Sequence, residues 1–130
     1  MSENLFDLTG KVAVVTGGSR GLGRAMVLAF AKAGADVMIV SRKIESCEAT
    51  AKEVVALGRK AFPYACHVGS WEQVEGMVEA AYVHFGKIDV LVNNAGLSPL
   101  YPSLVDVSEA LFDKVFDVNL KGPFRACALV

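Results

Sequence analysis

The chain has 130 residues, of which 53% are hydrophobic and 21% charged, and its 13 basic and 14 acidic side chains give a net charge of −1. A nearly neutral chain without blocks of one sign argues against nucleic acid or an anionic membrane surface as a partner. The length suits one domain, residues 1–130, and the high apolar content is typical of strands buried on both faces.

The spacing of the cysteines and the first ten residues indicate in which cellular compartment the protein is expected. Cys47, Cys66 and Cys127 are far apart and show neither metal-ligand nor CxxC spacing, so we expect thiols in a reducing compartment and no metal site. The first ten residues lack the basic start and apolar core of a signal peptide. The apolar runs are far shorter than a membrane span. The sequence therefore predicts a cytoplasmic protein with no membrane segment.

Short β-branched segments alternate with helical patterns in chain order. The predicted strands are 11–16, 36–40, 61–65 and 88–92. One helix is predicted directly after the glycine-rich loop that follows the first strand. Further helices are predicted over about 44–55, over about 74–85 and from about Ser108 onward. Ser41 is a candidate cap for the second helix, and Ser70 with Gln73 forms a capping-box pattern before the third.

Three glycines support the same architecture. Gly34, Gly58 and Gly86 each precede a predicted strand by two or three residues, where a left-handed conformation lets a helix end and the chain turn back. Strand and helix joined repeatedly by short loops predict right-handed βαβ crossovers and a parallel sheet. The sequence therefore predicts an α/β fold, with a flavodoxin-like FMN module as one alternative.

The segment TGGSRGLG, residues 16–23, lies between the first strand and an amphipathic helix. The first turn of a helix offers unpaired N–H groups and a positive dipole end, which attract a phosphate. Gly17, Gly21 and Gly23 suit a tight turn, a close backbone approach to the phosphates and close helix–strand packing. Thr16 and Ser19 are expected to add hydroxyl contacts. A plain glycine-rich loop is the alternative.

The glycine spacing resembles the TGxxxGxG hallmark of the short-chain dehydrogenase/reductase family. NNAG at 93–96 directly follows the fourth strand, and Asn119 lies in DVNLKG, so three motifs occur in the family's order. The resemblance is strongest to the 3-oxoacyl-carrier-protein reductase and glucose dehydrogenase-like group. It implies a Rossmann-like, doubly wound parallel sheet, of which this chain supplies strands in the order 3-2-1-4.

Basic residues indicate which nicotinamide cofactor is expected. Ser41 and Arg42 follow the second strand and Arg20 lies in the glycine loop. An acid after that strand would hold a ribose 2′-hydroxyl, whereas a guanidinium suits a 2′-phosphate. The resemblance therefore implies NADP(H) in preference to NADH. Two solvated arginines without this role are the alternative.

The resemblance implies a set of cofactor-binding residues from four segments. They are Gly17, Ser19, Arg20, Gly21, Leu22 and Gly23; Ser41 and Arg42; His67 and Val68; and Asn93, Ala95 and Gly96. In NNAG, Asn93 is expected to tie the sheet together, and Ala95 and Gly96 to leave room for the ribose.

His67 departs from the family, which usually has an aspartate there that accepts from the adenine amino group. A neutral imidazole can accept one hydrogen bond and loses that capacity on protonation. We therefore expect cofactor binding to weaken below about pH 6 to 6.5. A structural histidine that never touches the cofactor is the alternative.

Of the family's catalytic groups this sequence contains Asn119, whose implied role is to organise a water chain to a lysine. A bend before Gly122 is the alternative. The family's serine and YxxxK are not found, since Val68, Gly86 and Val105 stand four residues after the three tyrosines. We interpret the chain as the cofactor-binding, apparently truncated half of a reductase.

The expected substrate of the complete enzyme is a carbonyl compound or secondary alcohol, and the expected assembly is a homodimer or homotetramer. A non-catalytic NADP(H)-binding or interaction protein is the alternative. Because the fourth strand is expected to be an open edge, the isolated chain is predicted to be marginally stable or to aggregate.

Overall fold

A computed structural model describes residues 4–130. Strands and helices alternate as predicted. Their order is β1 (Val12–Thr16), α1 (Gly21–Lys32), β2 (Asp36–Ser41), α2 (Ile44–Ala56), β3 (Ala61–Ala65), α3 (Trp71–Phe85), β4 (Val90–Val92), a 3-10 turn (Leu104–Asp106), α4 (Glu109–Phe116), a π-turn (Asp117–Lys121) and α5 (Gly122–Leu129). Among the helices of residues 4–130, none is long and apolar enough to cross a membrane.

The strands form one parallel sheet in the order β3-β2-β1-β4. Its register aligns Val14 of β1 with Met38 of β2 and with Leu91 of β4. Two parallel strands need a long crossover connection, usually through a helix, and a helix lies between each two successive strands of this sheet. The order confirms the predicted Rossmann-like sheet and brings the carboxyl ends of all four strands to one edge.

The sheet is covered on both faces, which explains the apolar composition. One cluster joins Val14, Met38 and Val40 of the sheet to α3, with Met77 at its centre. The opposite cluster joins Val15, Val37 and Ile39 to α1 and α2, through residues such as Val27 and Val54. Complete burial of each of these side chains contributes about 1.5–3 kcal/mol. The core thus fixes the strands whose ends form the site.

Helix ends agree only in part with the predicted caps. Gly34, Gly58 and Gly86 have φ values of 107°, 83° and 80°, as the left-handed joints require. Ser70 Oγ accepts from the Gln73 N–H at 3.3 Å. The reciprocal half of the capping box is missing, because Gln73 Oε1 accepts from the His67 N–H at 2.8 Å.

The prediction that Ser41 caps α2 is wrong. The N-cap is Lys43, which makes no side-chain cap bond. The Ser41 hydroxyl instead donates to the Lys43 carbonyl at 3.2 Å and contacts Cys47 Sγ at 3.0 Å. Ser41 is the last residue of β2 and lies two positions before the N-cap Lys43, too early for its side chain to reach the first helical amides.

The last predicted helix is interrupted. Ser108 caps α4 by accepting from the Leu111 N–H at 3.1 Å, but the α-helical pattern stops at Phe116. In the π-turn the Gly122 N–H donates to the Asp117 carbonyl, five residues back. Pro123 has no N–H to continue an i to i−4 ladder. A Cβ on Gly122 would lie 2.0 Å from the Val68 carbonyl oxygen, so close packing at this glycine accompanies the break.

Candidate functional site

A cleft of about 540 Å³ lies along the carboxyl edge of the sheet. Open α/β sheets bind ligands at this edge. Most of the residues predicted as cofactor-binding line it. They are Gly17, Ser19, Arg20, Gly21, Ser41, Arg42, His67, Val68, Ala95 and Gly96. Leu22, Gly23, Asn93 and Asn119 do not line it.

The glycine-rich loop needs its glycines for two different reasons. Gly17 has φ +64°, and a Cβ there would lie 2.8 Å from Asn94 Nδ2. A Cβ on Gly23 would lie 1.9 Å from the Gly17 carbonyl oxygen, so α1 packs directly onto the loop. Gly21, with φ +55°, has open space around it. Gly17 and Gly23 therefore hold the loop folded, and Gly21 leaves the cleft clear beside it.

The beginning of α1 adjoins this open space. Its N-cap is Arg20, in an extended conformation and without a side-chain cap bond. The first-turn amides therefore have no N-cap side chain to satisfy them. Leu22, in the same turn, is 72% exposed and lies outside the cleft lining. The backbone of this turn, with Gly21, lies where the sequence predicts an anion-binding feature.

Thr16 organises the floor of the cleft. Its hydroxyl oxygen accepts from the N–H groups of Asn94 and Ala95, both at 3.1 Å, and its O–H donates to the Val92 carbonyl at 3.3 Å. Thr16 is 2% exposed. The expectation of a hydroxyl contact to a ligand is therefore wrong for Thr16, because the hydroxyl is buried and fully engaged in joining β1 to the loop after β4.

Asn94, rather than Asn93, ties together the loops that follow β1 and β4. Asn94 Nδ2 donates to the Gly17 carbonyl at 3.1 Å, which links the NNAG loop to the glycine-rich loop. Asn93 Nδ2 instead contacts Cys127 Sγ of α5 at 3.3 Å. The role expected of Asn93 was wrong, because adjacent asparagines after a strand point in different directions and the sequence alone does not say which one faces β1.

Positive charge dominates the cleft. Arg20, Arg42, Lys43 and Lys114 line it, and no carboxylate of residues 4–130 does. Over residues 4–130, none of these four cations takes part in an ion pair. Sequence reasoning missed Lys114, which lies on α4 and reaches the cleft only through tertiary packing. Four basic side chains without internal partners suit a ligand with several phosphate charges.

His67 lies at the end of the cleft beyond β3, and its ring is oriented by its own loop. The Gly69 N–H donates to His67 Nδ1 at 3.0 Å. A backbone amide can only donate, so a neutral His67 carries its proton on Nε2. The expectation that the imidazole accepts from an adenine amino group therefore conflicts with the structure, because its acceptor nitrogen is engaged by Gly69.

Apolar and neutral groups surround this end of the cleft. Val40, Val68 and Val118 line it together with Cys66. Burial raises the pKa of the Cys66 thiol to about 11, so the group is uncharged at neutral pH. This part of the cleft suits a flat uncharged ring, in contrast to the cationic part beside β1 and β2.

Asn119 is held in the π-turn and clamps the far rim of the cleft. Its Oδ1 accepts from the Leu97 N–H at 2.8 Å and its Nδ2 donates to the Leu97 carbonyl at 2.7 Å. Leu97 itself lines the cleft. Both polar ends of the amide are thus used to position the rim.

Within residues 4–130, no three His, Cys, Asp or Glu side chains form a group that could hold a metal.

Comparison with known proteins agrees with this geometry. A sequence profile described as short chain dehydrogenase matches residues 11–130. Versicolorin reductase 1 of Dothistroma septosporum is 40% identical over 125 residues, covering 95% of this chain and 47% of that protein. The 3-oxoacyl-(acyl-carrier-protein) reductase FabG of Thermotoga maritima is 39% identical over 123 residues, covering 95% of this chain and 50% of that protein.

A solved structure shares the fold closely. A metagenomic short-chain oxidoreductase in complex with NADP superposes with a TM-score of 0.91 at 35% identity, covering 94% of this chain and 55% of that one. The chain thus spans about half the length of the proteins it matches. The profile match over nearly the whole sequence confirms the resemblance, and the chain belongs to the short-chain dehydrogenase family.

Proposed function

We propose that the cleft binds NADP(H) and that this chain supplies the cofactor-binding residues of an oxidoreductase acting between NADPH and a carbonyl compound or secondary alcohol. The observation that carries the proposal is the cation-lined cleft beside a glycine-rich loop at the carboxyl edge of the sheet. The NADP complex of the related oxidoreductase supports it.

The residues present fit the diphosphate of a dinucleotide. Side chains are excluded at Gly17 and Gly23 by the contacts that a Cβ would make, and Gly21 borders open space. The uncapped first turn of α1 offers amide donors at the same place. A diphosphate could therefore approach the backbone here without obstruction by a side chain.

The 2′-phosphate of NADP(H) is proposed to lie against Arg42. Ser41 ends β2, Arg42 and Lys43 follow it, and Arg20 lines the cleft from the glycine-rich loop. A guanidinium fork can donate two hydrogen bonds to phosphate, and among the residues that the structure describes no carboxylate lines the cleft to repel it.

The chemical role of the chain is to bind and orient. When bound, the nicotinamide supplies or receives the hydride. Asn119 fixes the Leu97 rim and Thr16 fixes the NNAG loop, which together restrict the positions open to the ring. The serine at the family's catalytic position and the Tyr-x-x-x-Lys pair, which the family resemblance implies for proton transfer, are not found among these 130 residues. We therefore expect this chain to bind NADPH without turnover.

The proposal includes a cytoplasmic location and a homo-oligomeric assembly of the complete enzyme. The unpaired thiols of Cys47, Cys66 and Cys127 support a reducing compartment. The assembly rests on the family resemblance.

Equilibrium titration with NADPH and NADH tests the cofactor assignment, using the wild type, Arg42→Ala and the exposed control Lys52→Ala. We expect the wild type to prefer NADPH by about tenfold or more, since a charge-assisted hydrogen bond contributes about 1.5–3 kcal/mol. Arg42→Ala should weaken NADPH binding and leave NADH binding nearly unchanged, whereas Lys52→Ala should resemble the wild type. Equal affinities in the wild type, or an unchanged preference in Arg42→Ala, would contradict the proposal.

A further inference from the structure

We propose that His67 presents an Nε2–H donor to the 6-position of the bound purine, so that the cleft accepts a 6-oxopurine dinucleotide at least as well as the adenine dinucleotide. This inference rests on the proposed function, because it concerns the base of the same cofactor. In this role His67 donates a hydrogen bond to the base, whereas a carboxylate at the same position would accept one from the amino group of adenine.

The order of the strands locates the base. The glycine-rich loop follows β1, Arg42 follows β2, and His67 and Val68 follow β3, which is the next strand along the same edge. A nucleotide whose phosphates lie at β1 and whose ribose lies at β2 directs its base toward β3. Val40, Val68 and Val118 line that end of the cleft, and their apolar surfaces suit the faces of a planar ring.

The loop after β3 fixes the orientation of the imidazole. The backbone N–H of His67 donates to Gln73 Oε1 at 2.8 Å. The ring Nδ1 of His67 accepts from the backbone N–H of Gly69 at 3.0 Å. A Cβ on Gly69 would lie 2.8 Å from His67 Cε1, so the ring packs closely on this glycine. With Nδ1 engaged inside the loop, the polar group that a neutral His67 has left for a ligand is Nε2–H.

A donor at this position reverses the usual base preference. The amino group of adenine also donates, so it would find no partner on the imidazole and would lose a hydrogen bond to water on binding. The 6-oxo group of hypoxanthine accepts and would pair with Nε2–H. The carboxylates Asp113 and Asp117 line a smaller adjoining pocket that shares His67, but neither lines the cleft.

Equilibrium titration with NADPH and with its deamino analogue, which carries hypoxanthine, tests the inference. We expect the wild type to bind the analogue at least as tightly as NADPH. His67→Asp should bind NADPH about 5- to 10-fold more tightly than the analogue, the effect of one net hydrogen bond. Asp113→Asn, the control in the adjoining pocket, should match the wild type. A wild type that prefers NADPH by about fivefold or more, as a carboxylate would, overturns the inference.

A second measurement does not depend on the folding of His67→Asp. Nitrogen chemical shifts of the imidazole report which ring nitrogen carries the proton, and His84→Asn leaves His67 as the one histidine in the chain. We expect the Nε2–H tautomer in the neutral imidazole, and an Nδ1–H tautomer overturns the inference. Failure of NADPH to bind would overturn the proposed function itself, whereas NADPH binding with a strong adenine preference would overturn the base assignment alone.

Discussion

Gly21 and Gly23 are two residues apart in the glycine-rich loop, yet they require glycine to different degrees. Gly21 has a left-handed φ of +55° but no neighbouring atom within 4 Å of a Cβ, whereas a Cβ on Gly23 would lie 1.9 Å from the Gly17 carbonyl oxygen. The backbone of the loop cannot yield as a flexible side chain would. A methyl group at Gly23 must therefore displace either α1 or the loop.

We predict that Gly23→Ala lowers the free energy of unfolding by about 3 kcal/mol or more through overpacking. Gly21→Ala should cost about 1–2 kcal/mol through its backbone conformation alone. Urea unfolding of both variants measures the difference. Equal losses would contradict the packing that the structure shows at Gly23.

At the residue scale, the sequence predicted which positions line the cleft better than it predicted what each side chain does. The glycines, Arg20 and Arg42 could be placed because strand, loop and helix occur in a fixed order. The roles of Thr16 and Asn94 could not, since they depend on a contact between segments 78 positions apart in the chain. The tautomer of His67 likewise follows from one amide of its own loop, whose direction the sequence does not specify.

The π-turn between α4 and α5 is the element that connects the fold to the rim of the cleft. It presents the Asn119 side chain to both backbone groups of Leu97. In a continuous α-helix the side chains after Asp117 would point in other directions, since each residue advances by about 100° around the helix axis. The irregular turn is therefore proposed to be a positioning feature.

We predict that Asn119→Ala frees the Leu97 N–H and raises its amide hydrogen-exchange rate by about 5- to 10-fold, since one net hydrogen bond contributes about 1 kcal/mol. Asn93→Ala, whose amide contacts Cys127 instead, serves as the control and should leave exchange at Leu97 unchanged. Unaltered protection of Leu97 in Asn119→Ala would show that the clamp does not hold the rim.

The start of β4 is joined to β1 by a carboxylate. Asp89 Oδ2 accepts from the Val12 N–H at 2.8 Å and lies 3.0 Å from Lys87 Nζ. The hydrogen bond from Lys87, together with that from Val12, lowers the pKa of Asp89 below its ordinary value. A lowered pKa in the folded state means that the ionised carboxylate stabilises the fold, and that acid removes this contribution.

We therefore predict that stability from Asp89 is fully present above the unfolded aspartate pKa of about 3.9 and is lost as the pH falls from there through the lower folded value. Asp89→Asn keeps an acceptor for Val12 but cannot lose a charge, so its stability should change less with pH. Urea midpoints of the wild type, Asp89→Asn and the exposed control Asp113→Asn, compared at neutral and acidic pH, measure the difference. Equal acid sensitivity of the wild type and Asp89→Asn would contradict the assignment.

Element positions could be predicted from the sequence because each signal was local. Glycine joints, β-branched strands and helical periodicity all occur within short windows, and they predicted the parallel α/β architecture. The strand order came from the family resemblance, and the structure confirms it. The break in the last helix was anticipated only as the alternative interpretation of Asn119, a bend before Gly122. It depends on the packing of Gly122 against the Val68 carbonyl, a contact across the fold.

Over the whole molecule, apolar surface is distributed unevenly. The sheet is buried on both faces, but α4, the π-turn and α5 expose large side chains. These are Phe112, Phe116, Leu120 and Phe124, which are 52%, 45%, 59% and 64% exposed. The strands β3 and β4 are the two edges of the sheet in residues 4–130. Exposed apolar side chains and open strand edges both favour association between chains.

We predict that the chain self-associates at micromolar concentration, so that its mass in sedimentation exceeds 13.8 kDa and rises with concentration. The double variant Phe112→Glu with Leu120→Glu should lower that mass, because charge on this surface opposes contact. Phe6→Glu, an equally drastic change on an exposed side chain near the N-terminus, is the control. A wild type that remains monomeric throughout and unfolds in a sharp cooperative transition would contradict the prediction.

The central claim is that the carboxyl edge of the sheet is the NADP(H) site, and nuclear magnetic resonance mapping tests it most directly. Backbone amide signals of the labelled chain would be followed as NADPH is added. We predict shifts concentrated at residues 17–21, 41–43, 66–68 and 94–97, with the joints at Gly58 and Gly86 unaffected. Shifts confined to α5 and the exposed side of α4, or none at saturating NADPH, would contradict the account.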